Sequence, residues 1–298
     1  MSSIAQAFYK KIIIYIALFI SLLWGTPLFA KPIFIVAAEN MYGDIAKQIG
    51  KVHVDVTTIL SNPDQDPHSF ELTPSVGYAL TKAQLVIING VGYDAWADRL
   101  LSHQTQNRPK IILAQDILGK KMGDNPHLWY DIDGMQKLSQ YLAKQYIDLM
   151  PENRNLFEAN LAQFSNQLTK IKKRIETIKS QHLGLFVAAT EPVCGIMVEK
   201  LGFEMGEQNF QWVIMNGGEP SPRQVAQFED DLRQKKIKLL FYNAQVITPE
   251  TDRLKQIANQ ANIPIIGVSE TMPEGMSYQQ WMNDTLSKIE AALPKIKQ

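Results

Sequence analysis

Short β-branched runs alternate with longer stretches of helical period along most of this chain, and that alternation leaves few architectures open. PIFIVAA (32–38), VHVDVTTIL (52–60), QLVIING (84–90) and PKIILA (109–114) read as strands, separated by helical stretches that include NMYGDIAKQIG (40–50), closed by Gly50, and 73–82. The pattern resumes with GLFVAAT (184–190), KIKLLFYNA (236–244) and IPIIGVS (263–269), interleaved with helices at about 192–201, 222–234, 250–261 and 277–291. Strands that alternate with helices build βα units around a parallel sheet.

Between the two series lies a segment of different character. Residues 152–181 carry apolar side chains at Leu156, Phe157, Leu161, Phe164, Leu168, Ile171, Ile175 and Ile178, behind Pro151. Spacings of three and four mark one amphipathic helix. A helix of that length spans roughly 45 Å, enough to cross a molecule. The expected fold is therefore α/β, with two lobes, each holding a mainly parallel sheet flanked by helices, joined by one long rigid helix. The expected divisions are 31–150, 151–181 and 182–298.

Residues 1–30 read as an address. Their only charged side chains are Lys10 and Lys11, followed by thirteen residues, 12–24, in which Ser21 alone is not apolar. A membrane-spanning helix needs about 20 apolar residues, a secretory core about 7–15. Gly25, Thr26 and Pro27 then break the helix, and a cut after Ala30 is expected, with export to a periplasm. Leu28 is larger than the small residue preferred before such a cut, so an uncleaved anchor and a buried first helix are the competing readings. The segment has no cysteine, so no lipid anchor is expected.

Thirty basic and thirty acidic side chains balance, which removes the electrostatic footprint of a nucleic-acid binder. The single cysteine, Cys194, rules out an internal disulfide and Cys-rich zinc sites; it reads as a small buried apolar residue. The chain has no G-x-x-x-x-G-K-[ST] for a nucleotide and no H-E-x-x-H.

The chemistry points to loops at the carboxyl ends of strands, where α/β lobes gather ligands. His68 and His127 each follow a proline beside a short polar loop, in DPHSFE and NPHLWYD. A neutral imidazole there suits Zn²⁺, Mn²⁺ or Fe²⁺. Glu191 and Glu270 close two strands of the second half. Glu191 precedes Pro192 at an expected helix start, so it also reads as a capping charge. Two imidazoles and two carboxylates make a mixed N/O set that does not select strongly among these ions. His53, His103 and His182 read as ordinary strand-edge or surface histidines, and Trp129 as packing under its loop. Asp131 has two readings, a partner that orients an imidazole or a cap for the next helix.

These residues carry a resemblance. DPHSFELTPSVGYALTKAQLVIINGVGYDAW (66–96), NPHLWYD (125–131), EPVCGIMVEKLGF (191–203) and FYNAQVITPETDRLKQIANQANIPIIGVSET (241–271) resemble the zinc/manganese-binding receptors of ABC importers, the TroA-like or ZnuA-like periplasmic binding proteins. The resemblance covers 31–298. It implies the chelatase-like superfold and a metal held between the lobes by His68, His127, Glu191 and Glu270. The last is a departure, because the family usually has aspartate there; Asp66 or Glu39 would stand at the edge of the site. The His-rich loop of many zinc members is absent. The implied function is a monomeric receptor, not an enzyme, that delivers Zn²⁺ or Mn²⁺ (Fe²⁺ is less expected) to a permease energised by a separate ATPase. Its histidines must be neutral to bind, so affinity should weaken below about pH 6. The competing functions are a periplasmic metallohydrolase, a receptor for an organic solute or metal chelate, and an adhesin.

Overall fold

A computed structural model describes residues 31–62, 70, 73–102 and 108–294. The expected leader, His68, Asp66 and His103 lie outside the described residues. The first half contains β1 (Ile33–Glu39), α1 (Asn40–Gly50), β2 (Val54–Leu60), α2 (Pro74–Lys82), β3 (Leu85–Ile88), α3 (Ala95–Ser102), β4 (Lys110–Leu113), α4 (Ala114–Leu118) and α5 (Ile132–Leu149). The long helix α6 (Arg154–His182) follows. The second half contains β5 (Phe186–Ala189), α7 (Gly195–Lys200), β6 (Glu204–Met205), α8 (Gln208–Met215), α9 (Pro222–Arg233), β7 (Leu240–Asn243), α10 (Pro249–Gln260), β8 (Ile265–Val268) and α11 (Tyr278–Ala292).

Each lobe has one four-stranded sheet. The orders are β2-β1-β3-β4 and β6-β5-β7-β8, and every strand pair is parallel. The two lobes thus repeat one topology without repeating a sequence. Strand alternation sorts the apolar side chains to two faces. In β1, Ile33, Ile35 and Ala37 enter the central core while Val36 and Ala38 face an outer cluster with Leu80, Val86, Ile88 and Trp96. The second sheet has its own outer cluster, with Ala188, Leu240, Phe228 and Leu254. Close approach is built in where α1 crosses β2: a Cβ on Gly43 would lie 2.1 Å from Thr58 Cγ2.

The central core is continuous through both lobes. It runs from Ile35 through Met135, Leu138 and Leu142 of α5 and Phe157, Phe164, Leu168 and Ile171 of α6 to Val187, Phe241 and Ile266, with Trp281 and Leu286 of α11. Polar contacts follow the same path. Asn40 donates Nδ2 to Met272 O at 2.7 Å and accepts from Met272 N at 2.9 Å, as a strand neighbour would. Tyr278 OH donates to Trp129 O at 2.7 Å, Tyr130 OH donates to Ser269 O at 3.0 Å, and Gln48 and Gln279 exchange side-chain amides at 2.8 Å.

Several local expectations change. Leu156 is 39% exposed, because the buried stripe of α6 starts at Phe157. His53 is not in a strand; it ends a 3₁₀ turn, Lys51–His53, edge-on to Phe157 at 5.8 Å. The helix expected after Asp131 is the eighteen-residue α5, whose buried Ile132, Met135, Leu138, Leu142 and Tyr146 keep spacings of three and four. Among the described residues no helix is long and apolar enough to cross a membrane.

Candidate metal centre

Polar side chains close the buried strands of both sheets. Glu39 ends β1, Asn89 follows β3, Glu191 lies two residues past β5, Asn243 ends β7 and Glu270 lies two residues past β8. All five are buried. Parallel strands put these ends on one side of each sheet. His127 joins them from the loop before a 3₁₀ turn, Leu128–Tyr130.

His127 is fully buried and its tautomer is fixed by its neighbours. Asn125 Oδ1 accepts from His127 N at 3.0 Å and lies 2.8 Å from Nδ1, while Asn125 Nδ2 donates to Pro192 O at 2.7 Å. An acceptor on Nδ1 puts a proton there, so that in the neutral ring the lone pair is on Nε2. Among the described residues that Nε2 is buried without a hydrogen-bond partner, and it lies 3.6 Å from Glu270 Oε2. Tyr93 OH donates to Glu270 Oε2 at 2.9 Å, and Asn243 Nδ2 donates to Glu270 Oε1 at 2.7 Å and faces Glu191 Oε2 at 3.4 Å. Trp129 stands edge-on to His127 and Tyr93, with ring centroids 5.4 and 5.1 Å away, so its indole is a wall under the loop.

Of the expected residues, the structure brings His127 and Glu270 together and joins Glu191 to Glu270 through Asn243. Among the described residues no three His, Cys, Asp or Glu side chains form a group able to hold a metal ion. Glu191 is not in a helical first turn, since α7 starts only at Gly195 with Cys194 as its N-cap residue, so the capping reading falls away. For Asp131 the cap is what the structure places. Its carboxylate accepts from Asp133 N at 3.1 Å and faces Lys200, and Asn125, not Asp131, orients the imidazole. Burial pushes the Cys194 thiol up to about 12, so it stays protonated.

Glu39 sits beside Asp94, whose two oxygens accept from Asn89 N and Gly90 N. Burial, and then the charge of Asp94, raise the Glu39 carboxyl well above its ordinary value. Between the ordinary and the raised value the unfolded chain is ionised while the fold keeps its proton, so stability falls as pH rises through that window. Glu39→Gln should therefore raise the melting temperature of the metal-free protein at pH 7.5. About 2–4 °C is the scale of 1 kcal/mol in a chain of this size. The gain should vanish near pH 4, and a gain equal at both pH values would refute the argument.

A cavity of about 1160 Å³ opens onto Glu191 from the second lobe, between Met215, Val225, Val246, Thr248 and Arg253. Asn125, Tyr93 and Asn243 were not singled out in the sequence, although Asn125 lies in the NPH segment and Asn243 closes a strand, as the glutamates do.

The sequence profile of the zinc-uptake complex component A, periplasmic, matches residues 35–292. The manganese ABC transporter substrate-binding lipoprotein PsaA of Streptococcus anginosus is 26% identical over 285 residues, covering 88% of this chain and 89% of that protein. The periplasmic zinc-binding protein TroA of Treponema pallidum shares the fold at a TM-score of 0.71 with 17% identity, covering 89% of this chain and 100% of TroA. FpvC of Pseudomonas aeruginosa, solved with Mn²⁺, shares it at 0.72 with 17% identity, over 88% of this chain and 98% of FpvC. With the profile matched over both lobes and the long helix, the chain belongs to the family of periplasmic zinc-uptake component A.

Proposed function

We propose that this chain is an extracytoplasmic receptor that captures a divalent transition metal, Zn²⁺ or Mn²⁺, between its lobes and hands it to an ABC permease driven by a separate ATPase subunit. His68, His127, Glu191 and Glu270 are the ligands in this reading, and 31–150 and 182–298 are the lobes that carry them. The observation behind it is the place of His127 Nε2, buried and 3.6 Å from Glu270 Oε2. A histidine whose other nitrogen is tied to a fixed acceptor is in the state a metal requires. The relatives' names point the same way, to manganese for PsaA and zinc for TroA. The receptor acts as a monomer and as a carrier, not an enzyme. The streptococcal relatives are named lipoproteins, and this receptor, like them, works outside the cytoplasm.

The test is metal content by mass spectrometry, after stripping and competitive reloading. One ion per chain is expected. No stoichiometric Zn²⁺ or Mn²⁺ after reloading would sink the proposal. The cavity beside Glu191 favours one second reading, capture of the metal as an organic chelate. Binding would then need the chelator and would survive loss of His127.

A further inference from the structure

One side-chain amide spans the seam between the lobes beside His127. Asn125 turns its oxygen to the first lobe, where Oδ1 accepts from His127 N at 3.0 Å and lies 2.8 Å from Nδ1. It turns Nδ2 to the second, where it donates to Pro192 O at 2.7 Å. Pro192 follows Glu191, and its carbonyl also accepts from Gly195 N at 3.0 Å, closing the turn that leads into α7. Two donors on one oxygen sit side by side, so this turn brings Gly195 against the amide. A Cβ on Gly195 would lie 2.9 Å from Asn125 Nδ2, closer than a Cβ comes to another heavy atom in a folded protein. The backbone itself does not ask for glycine here, because Gly195 has no positive φ. The space beside it does.

If that space is filled something has to give, and the surroundings decide what. Val193, Cys194 and Met197 are buried in the central core around Gly195. At the far end of α7, Lys200 Nζ lies 3.0 Å from Asp133 Oδ2 and 3.9 Å from Asp131 Oδ1, which pins the helix to the start of α5. The Asn125 amide is the tip of a side chain, and it borders a cavity of about 310 Å³ that Glu199, Phe203, Gln208 and Trp212 also line. It has room to leave, and leaving takes the acceptor away from Nδ1. A neutral imidazole is then free to carry its proton on Nε2, the nitrogen that a metal needs bare. We propose that Gly195 is a positioning residue for His127: the side chain it lacks keeps Asn125 seated between the imidazole and the turn that carries Glu191, so the ring is set for a metal only while the turn of the second lobe is in place. The inference rests on the receptor reading above and adds to it a residue that touches no ion.

The experiment compares the wild type, Gly195→Ala, Asn125→Ala and the double variant by competition titration with Zn²⁺ and Mn²⁺. Nitrogen NMR of labelled imidazoles in the metal-free protein, at a pH where the rings are neutral, gives the second readout, with His127→Gln to assign the signal. Gly195→Ala should weaken binding by about 10–100-fold, the cost of losing a group that orients a metal-ligating histidine. It should also move part of the His127 proton from Nδ1 to Nε2. In the double variant the amide that the methyl would strike is gone, so binding should be no weaker than in Asn125→Ala alone. Losses that multiply, as they do for independent sites, would overturn the inference and leave the receptor reading standing. So would a Gly195→Ala protein whose His127 keeps its proton on Nδ1. A wild type that binds neither ion would overturn both.

Discussion

His127→Gln should lower Zn²⁺ affinity by more than about 100-fold, because loss of a mere outer partner of a metal ligand already costs 10–100-fold. The substitution keeps most of the side-chain volume beside Trp129 while removing Nε2, the ring nitrogen 3.6 Å from Glu270 Oε2. Glu270→Ala should act as strongly, since it leaves Tyr93 OH and Asn243 Nδ2 facing a vacated place where a carboxylate stood. Asn125→Ala is the milder companion, within the 10–100-fold range. It frees Nδ1 and lets the imidazole choose the wrong tautomer, but it removes no ligand. Competition titration at pH 7.5 measures all three. If His127→Gln binds within tenfold of the wild type, His127 is no ligand. An Asn125→Ala effect larger than that of His127→Gln would mean that the loop, not the imidazole, makes the site.

Phe164→Ala should cost about 3–5 kcal/mol, the range for emptying a buried aromatic position. Phe164 lies on the stripe of α6 that enters the common core and is stacked on Tyr278 of α11 at 6.4 Å. At roughly 2–4 °C per kcal/mol, the melting temperature should drop by about 10 °C. The shape of the transition is as informative as its midpoint. One core serves both sheets, so heat should unfold both lobes in a single step, in the variant as in the wild type, with calorimetric and van't Hoff enthalpies equal. Two resolved transitions, only one of them shifted, would show that α6 separates two folding units.

Much of this architecture is legible because buried parallel strands and an amphipathic helix leave strong periodic signals. QLVIING and IPIIGVS each contain the strand found there and PIFIVAA all but the last residue of β1, while on the apolar stripe of α6 Leu156 is exposed and Leu161 half-buried. The two-residue β6 is too short for any period to register. The candidate site is legible in part: His127 and Glu270 meet in the structure, while His68 lies outside the described residues. A polar residue closing a buried strand already marks Glu191 and Glu270, and a proline before an imidazole marks His127. Which neighbour orients that imidazole depends on backbone direction. Asn125 and Asp131 flank His127 at short distance in the chain, yet the turn sends the first toward the ring and the second onto the free N–H of α5. Tyr93 lies 177 positions from Glu270, and no local pattern connects them.

The segment 269–272 is tied to both lobes at once. Tyr130 and Asn40 hold Ser269 and Met272 to the first lobe, while Gln245 binds the backbone of Glu270 and the side chain of Thr271 from the second. A jaw that swings on a hinge needs its contact faces to part cleanly, and this stretch works instead as a keystone between the faces. With this segment locked between the lobes, an ion held by Glu270 would leave when four residues let go, before two halves of a molecule turn. A receptor built this way would exchange its cargo on the clock of a loop.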